Sequence, residues 1–195
     1  MKPQDKAAIA GAYETYSTGA RHFHWWMVLL IAIQVPLGIF MVAYGERTNF
    51  ADPTGRLYDS HKLIGLLILL FALARLSYRL LHGAPGDEPT IEPWQSIVSH
   101  ITHWTIYALL LVVPVLGWLA VSAYGPFAPF GITLPRLLAE NQGLADRLFT
   151  VHKAAAFLLI VLVGMHVGAA LYHYFIRRDG VLNRMWTSLP RRDGK

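Results

Sequence analysis

Residues 151–175, VHKAAAFLLIVLVGMHVGAALYHYF, decide the fold. As a helix the stretch is long enough to cross a hydrocarbon core of ~30 Å, which takes about 20 apolar residues. Apart from Lys153, its basic side chains are His152, His166 and His173. Ionisable groups at membrane depth are costly and mark a site. His152 and His166 stand fourteen residues apart. At about 100° and 1.5 Å per residue, that stride ends roughly 40° short of four turns and about 21 Å deeper. One helix thus presents two imidazoles on nearly one face, stacked through the membrane.

Three more spans are expected outward from it. Residues 23–43 are apolar after His24 except for Gln34, with Trp25 and Trp26 at the interface. Residues 61–81 carry an apolar run over 63–74 closed by Arg75, and the third span covers 100–123. The prediction is an all-α, integral membrane four-helix bundle in one domain, 1–195, with connections at about 44–60, 82–99 and 124–150. Composition agrees: 54% hydrophobic and 15% charged residues, with a mean hydropathy of +0.39, is too apolar for a soluble domain of 195 residues. No linker, repeat or low-complexity stretch divides the chain. The absence of Cys excludes disulfides, thiolate catalysis, iron–sulfur clusters and covalently attached haem.

The net charge of +5 does not call for nucleic acid, because the basic residues gather at the ends of apolar segments, where lipid headgroups meet them. Lys2, Lys6, Arg21, Arg75, Arg79, Arg177, Arg178, Arg184, Arg191, Arg192 and Lys195 fall on one side. Arg47, Arg56, Lys62, Arg136, Arg147 and Lys153 fall on the other. The positive-inside rule therefore places both termini in the cytoplasm. No cleavable leader is expected, since residues 1–22 are polar and the first apolar run is span-length.

Nine histidines need an explanation in such a chain. A six-coordinate haem takes two axial ligands, so each span-four histidine requires a partner at its own depth. For His152, at the outer level, the candidate is His61. For His166, at the inner level, His22, His24, His100 and His103 all qualify, while His82 and His173 lie too near the surface; depth leaves this choice open. The fourteen-residue stride also leads from His61 to Arg75, a charge suited to a propionate of an inner haem. From His24 it leads to Gly38, and from His103 to Gly117, where glycine lets a helix backbone approach a flat macrocycle. Gly65 and Gly164 are candidates for the same part. A closed zinc site is disfavoured, because it wants four ligands in one small sphere and these histidines fall in two layers. Trp94, Trp104, Tyr107 and Trp118 read as interface and packing residues.

At His24-Trp25, at the His61 to Arg79 segment, at His100-x-x-His103 with Tyr107 and Pro114-x-x-Gly117, and at His152 with His166, the sequence resembles the bacterial cytochrome b561 family. Phe127-x-x-Phe130-Gly131-x-Thr133-x-Pro135, His173-Tyr174-Phe175, Asp179 and Leu182-x-Arg184-Met185 extend the resemblance over about residues 20–190. It implies a multi-pass protein of the bacterial inner membrane holding two b haems, one iron ligated by His24 and His166, the other by His61 and His152. It implies electron exchange with ubiquinone and, in at least one branch, oxidation of superoxide at the outer surface.

Bis-histidine ligation leaves no open coordination position, so single-electron transfer at the haem edges is expected, with a membrane quinone as partner. Superoxide:ubiquinone oxidoreductase is the leading expectation. Superoxide is a small anion, and Lys62, Arg136, Arg147 and Lys153 are the candidate cationic funnel, foremost Lys62 and Lys153, each directly following a proposed ligand; each also reads as an ordinary solvated charge. His173, two turns beyond His166 on almost the same face, and His100 and His103 are candidate hydrogen-bonding groups for a quinone. The alternative is a relay subunit that anchors a dehydrogenase or a periplasmic redox protein and passes its electrons to or from quinone. A purely structural or metal-transporting membrane protein would show no haem absorbance.

Overall fold

The computed structural model describes residues 14–125 and 128–189; Phe127 and the basic residues Lys2, Lys6, Arg191, Arg192 and Lys195 lie outside them. The described chain is four long helices: α1 (Thr18–Thr48), α2 (Thr54–His82), α3 (Pro93–Tyr124) and α4 (Gln142–Tyr172), the last continued by a π-turn over His173–Arg177. All four are long and apolar enough to cross a membrane, and no strand occurs among the described residues.

The expected spans lie inside these helices, the fourth reaching into the π-turn, but the helices overrun them. Only residues 49–53, 83–92 and 125–141 separate them, against the longer connections expected at 44–60, 82–99 and 124–150. Apolarity marks the hydrocarbon slab alone, whereas a helix continues until its end groups are capped. Ser17 Oγ accepts from the Ala20 N–H to start α1, and left-handed Asn49 stops it. Glu92 and Gln95 form a reciprocal capping box on α3, and Asn141 caps α4 through the Leu144 N–H.

Large apolar side chains such as Ile39, Leu81 and Phe157 face outward, as expected where lipid is the solvent. The buried core is small: Met27, Ile68, Ala72, Leu110 and Leu159. Ile68, Leu110 and Leu159 each lie seven residues beyond His61, His103 and His152, two helical turns along the same face. They fill the bundle axis midway between the two histidine levels.

Beyond α4 the chain folds back across the end of the bundle where the described chain begins, through a 3-10 turn, Leu182–Arg184. Arg184 is 9% exposed. Its Nε donates to Glu14 O at 3.0 Å and its Nη2 to Gly86 O at 2.5 Å, and the guanidinium lies 5.7 Å from the Tyr16 ring. Trp25 Nε1 donates to Met185 O at 3.2 Å, and Arg21 Nη1 to Thr187 Oγ1 at 2.7 Å. Arg184 thus ties the start of the described chain to the α2–α3 connection. A charge-assisted hydrogen bond contributes about 1.5–3 kcal/mol. Arg184→Ala is expected to lower the thermal unfolding midpoint in detergent by several degrees, with Arg184→Lys recovering only part because a point charge cannot copy the guanidinium fork.

Candidate haem site

The histidines gather at two levels, labelled outer and inner after the orientation expected from sequence. At the outer level His61 of α2 faces His152 of α4, ring centres 6.4 Å apart and planes at 84°. His152 Nδ1 donates to Val113 O at 2.9 Å; a carbonyl only accepts, so the proton sits on Nδ1 and the lone pair on Nε2, the form a metal ligand needs. Gln34 Nε2 donates to His61 O at 2.9 Å. Its Oε1 and the His61 Nδ1 are buried without hydrogen-bond partners, which costs about 1–3 kcal/mol per group until a partner arrives.

Glycines back both outer rings. A Cβ on Gly38 would lie 3.0 Å from His61 Cε1, and one on Gly117 would lie 3.1 Å from His152 Cε1. The structure sets these glycines against the imidazole rings of this level. Gly65 faces the Gln34 amide, and Gly164 faces open space.

At the inner level His24 of α1 faces His166 of α4 at 6.3 Å and 78°. His103 of α3 also reaches His166, at 5.0 Å and 70°, and lies 3.3 Å from Ser99 Oγ. His22 and His100 are exposed; His100 turns outward to Asp87 at 3.1 Å. The Asp87 carboxyl is held below the ordinary carboxylate range, chiefly by the hydroxyl of Ser96, with burial opposing and His100 assisting. Two imidazoles bonded to one metal atom from opposite sides, at about 2.0–2.1 Å each, have ring centres roughly 6 Å apart. His61–His152 and His24–His166 fit that separation, whereas His103–His166 is too close.

Arg75 stands at the inner level. Its Nη1 donates to Ala20 O at 3.2 Å and its guanidinium lies 5.5 Å from the Tyr107 ring. With Arg79, Tyr16, Tyr78 and Met185 it lines a small cavity between α1, α2 and α3. Two guanidiniums and two further tyrosines in one recess suit a carboxylate such as a haem propionate. Sequence reading passed over Arg79, although its position one turn after Arg75 was a usable signal.

The four outer cations differ in what surrounds them. Lys62 is bound to Asp59 at 3.0 Å, and Arg136 to Glu140 at 3.3 Å, with further bonds to Ser122 O and Leu138 O. Among the described residues Arg147 bonds its own helix, at Gly143 O. Lys153 is exposed and has no acidic partner among the described residues. Of the quinone candidates, His173 opens the π-turn, a distortion common at functional positions. Its Nδ1 meets Asp179 Oδ2 at 2.5 Å, with side chains 12% and 6% exposed. Arg177 Nε at 3.3 Å and the Val181 N–H at 3.2 Å complete the Asp179 surroundings.

Residues 15–188, which include both histidine levels and the fold-back past α4, match the family described as prokaryotic cytochrome b561. The chain belongs to that family. This cytochrome is 30% identical over 174 residues to cytochrome b561 homolog 2 of Escherichia coli (strain K12), covering 88% of this chain and 91% of that one. It is 28% identical over 170 residues to a protein named probable superoxide oxidase CybB of Yersinia pestis, covering 87% and 93%. It is also 28% identical over 163 residues to cytochrome b562 of Cereibacter sphaeroides, covering 83% and 89%. As a prokaryotic cytochrome b561 it is a multi-pass inner-membrane electron-transfer protein, and the family implies haem b.

Proposed function

We propose that the protein is a di-haem superoxide:ubiquinone oxidoreductase with both termini in the cytoplasm, His61 and His152 ligating an outer haem b and His24 and His166 an inner one. The observation that carries it is the pair of facing imidazoles at each of two levels, 6.4 and 6.3 Å between ring centres. Each bound haem supplies a reversible one-electron ferric–ferrous couple. Overall, two superoxide ions become two molecules of oxygen, and one ubiquinone gains two electrons and two protons to become ubiquinol.

The chain supplies what surrounds that chemistry. His152 keeps its Nε2 lone pair available because Val113 O holds the Nδ1 proton. Arg75 and Arg79, which line one cavity, would hold the propionates of an inner haem. Lys153 and Arg147, without acidic partners among the described residues, draw the anion to the outer end. His173 holds its Nδ1 proton against Asp179, which leaves Nε2 to exchange a proton with a quinone oxygen. The relative named as a probable superoxide oxidase supports the choice of substrate.

Stopped-flow spectroscopy of the purified, oxidised protein under a superoxide pulse tests this reading. Haem bands should reduce at close to the diffusion limit and reoxidise when ubiquinone is added. Bands that ignore superoxide would overturn the reading in favour of a relay subunit. In the same experiment Asp179→Asn should slow reoxidation by quinone on the order of 10²-fold and leave reduction by superoxide unchanged; equal rates in both phases would remove His173 and Asp179 from the quinone step.

A further inference from the structure

Asp59 is the one acidic residue of α2, half a turn before His61. Its two carboxylate oxygens do different things. Oδ1 takes the Lys62 ammonium at 3.0 Å, both side chains only about a quarter exposed. Oδ2 accepts the backbone N–H of Phe130 at 3.0 Å. Phe130 sits at φ 50° in the turn Pro129–Gly131, a left-handed conformation that is strained for a bulky residue and persists only where the surroundings hold it. One carboxylate therefore ties the cation next to a proposed haem ligand to the chain joining α3 and α4.

We propose that Asp59 is a positioning residue that sets how positive the outer approach is, cancelling Lys62 at close range and leaving Lys153 and Arg147 as the cations an incoming anion meets. This rests on the reading that an anion delivers electrons at the outer end. A compensated pair 3.0 Å apart presents a small dipole to a reagent several ångströms away, whereas an isolated ammonium presents a full charge. Neutralising Asp59 adds one positive charge beside the outer haem edge. In water at about 10 Å that charge changes the encounter rate of a monovalent ion by about twofold, and of a trivalent ion by several-fold, and the effect fades once the Debye length falls to ~8 Å.

The test uses full-length, haem-loaded protein: wild type, Asp59→Asn, Asp59→Glu, Lys62→Gln and the Asp59→Asn/Lys62→Gln double variant. Two probes of opposite charge, ferricyanide and ruthenium hexaammine, are mixed with protein in the appropriate redox state at low and at physiological ionic strength. Asp59→Asn should react several-fold faster with ferricyanide and correspondingly slower with ruthenium hexaammine, both differences shrinking with salt. Lys62→Gln should do the reverse, the double variant should return close to wild type, and Asp59→Glu should retain wild-type rates. A change of the same sign with both probes would mean that the variant merely opens the turn, and would overturn the proposal, as would unchanged rates. These probes report charge whether or not superoxide is the substrate. Failure of the wild type to react with superoxide would therefore sink the proposed function alone, and matching probe rates across the variants would sink the role of Asp59 alone.

Discussion

His166→Ala should lose the inner haem and keep the outer one, and His152→Ala should do the opposite. Each variant falls from two haems to one per chain by the pyridine haemochromogen assay. The expectation follows from how the levels are built: both depend on α4, yet His152 pairs with α2 and His166 with α1, and the apolar plug of Ile68, Leu110 and Leu159 keeps them apart. His24→Ala and His61→Ala should reproduce the two patterns. His103→Ala should keep both haems, because its ring sits 5.0 Å from that of His166, too close for the two to ligate one iron from opposite sides. Loss of the inner haem in His103→Ala, with retention in His24→Ala, would reassign the ligand.

Gly117→Leu should abolish the outer haem while leaving the inner one bound. A Cβ there already comes within 3.1 Å of His152 Cε1, tighter than ordinary van der Waals contact. The ring cannot step aside freely, because its Nδ1 is fixed 2.9 Å from Val113 O on the same helix as the glycine. Overpacking costs about 1–3 kcal/mol, and here it falls on a ligand whose direction must be held for the iron to bind. Gly117→Ala should weaken the outer haem without eliminating it. Gly164→Ala is the contrast: nothing lies within 4 Å of its added Cβ, so both haems should remain. Absorption spectra of the three purified variants check the series.

Which parts of this were readable from sequence follows from what spacing encodes. Apolar run length gave the four spans, and because a helix converts residue number into depth and direction, the two levels on α4 and the outer positions of Gly38 and Gly117 could be read from the fourteen-residue stride. Spacing along one chain does not say which helices adjoin. For that reason depth left His22, His24, His100 and His103 level as partners of His166; the family resemblance pointed to His24, and the ring separations favour it over His103. The helices run past the expected spans because hydropathy records the hydrocarbon slab, whereas Ser17, Glu92 and Asn141 set the helix starts by capping. The charges were the least legible: the sequence showed four outer cations, and only packing revealed that Lys62 and Arg136 are bound to Asp59 and Glu140 while Lys153 is not. The i,i+3 spacing of Asp59 and Lys62 was a local signal for one of these pairs. The His173–Asp179 contact had no such cue, because it depends on the π-turn that brings residue 179 back to residue 173.

Potentiometric titration of the haem α-band in the purified protein tests the two-level arrangement most directly. Two one-electron waves are predicted in the wild type, one missing in His166→Ala and the other missing in His152→Ala. A single wave in the wild type, or one that survives both substitutions unchanged, would contradict it.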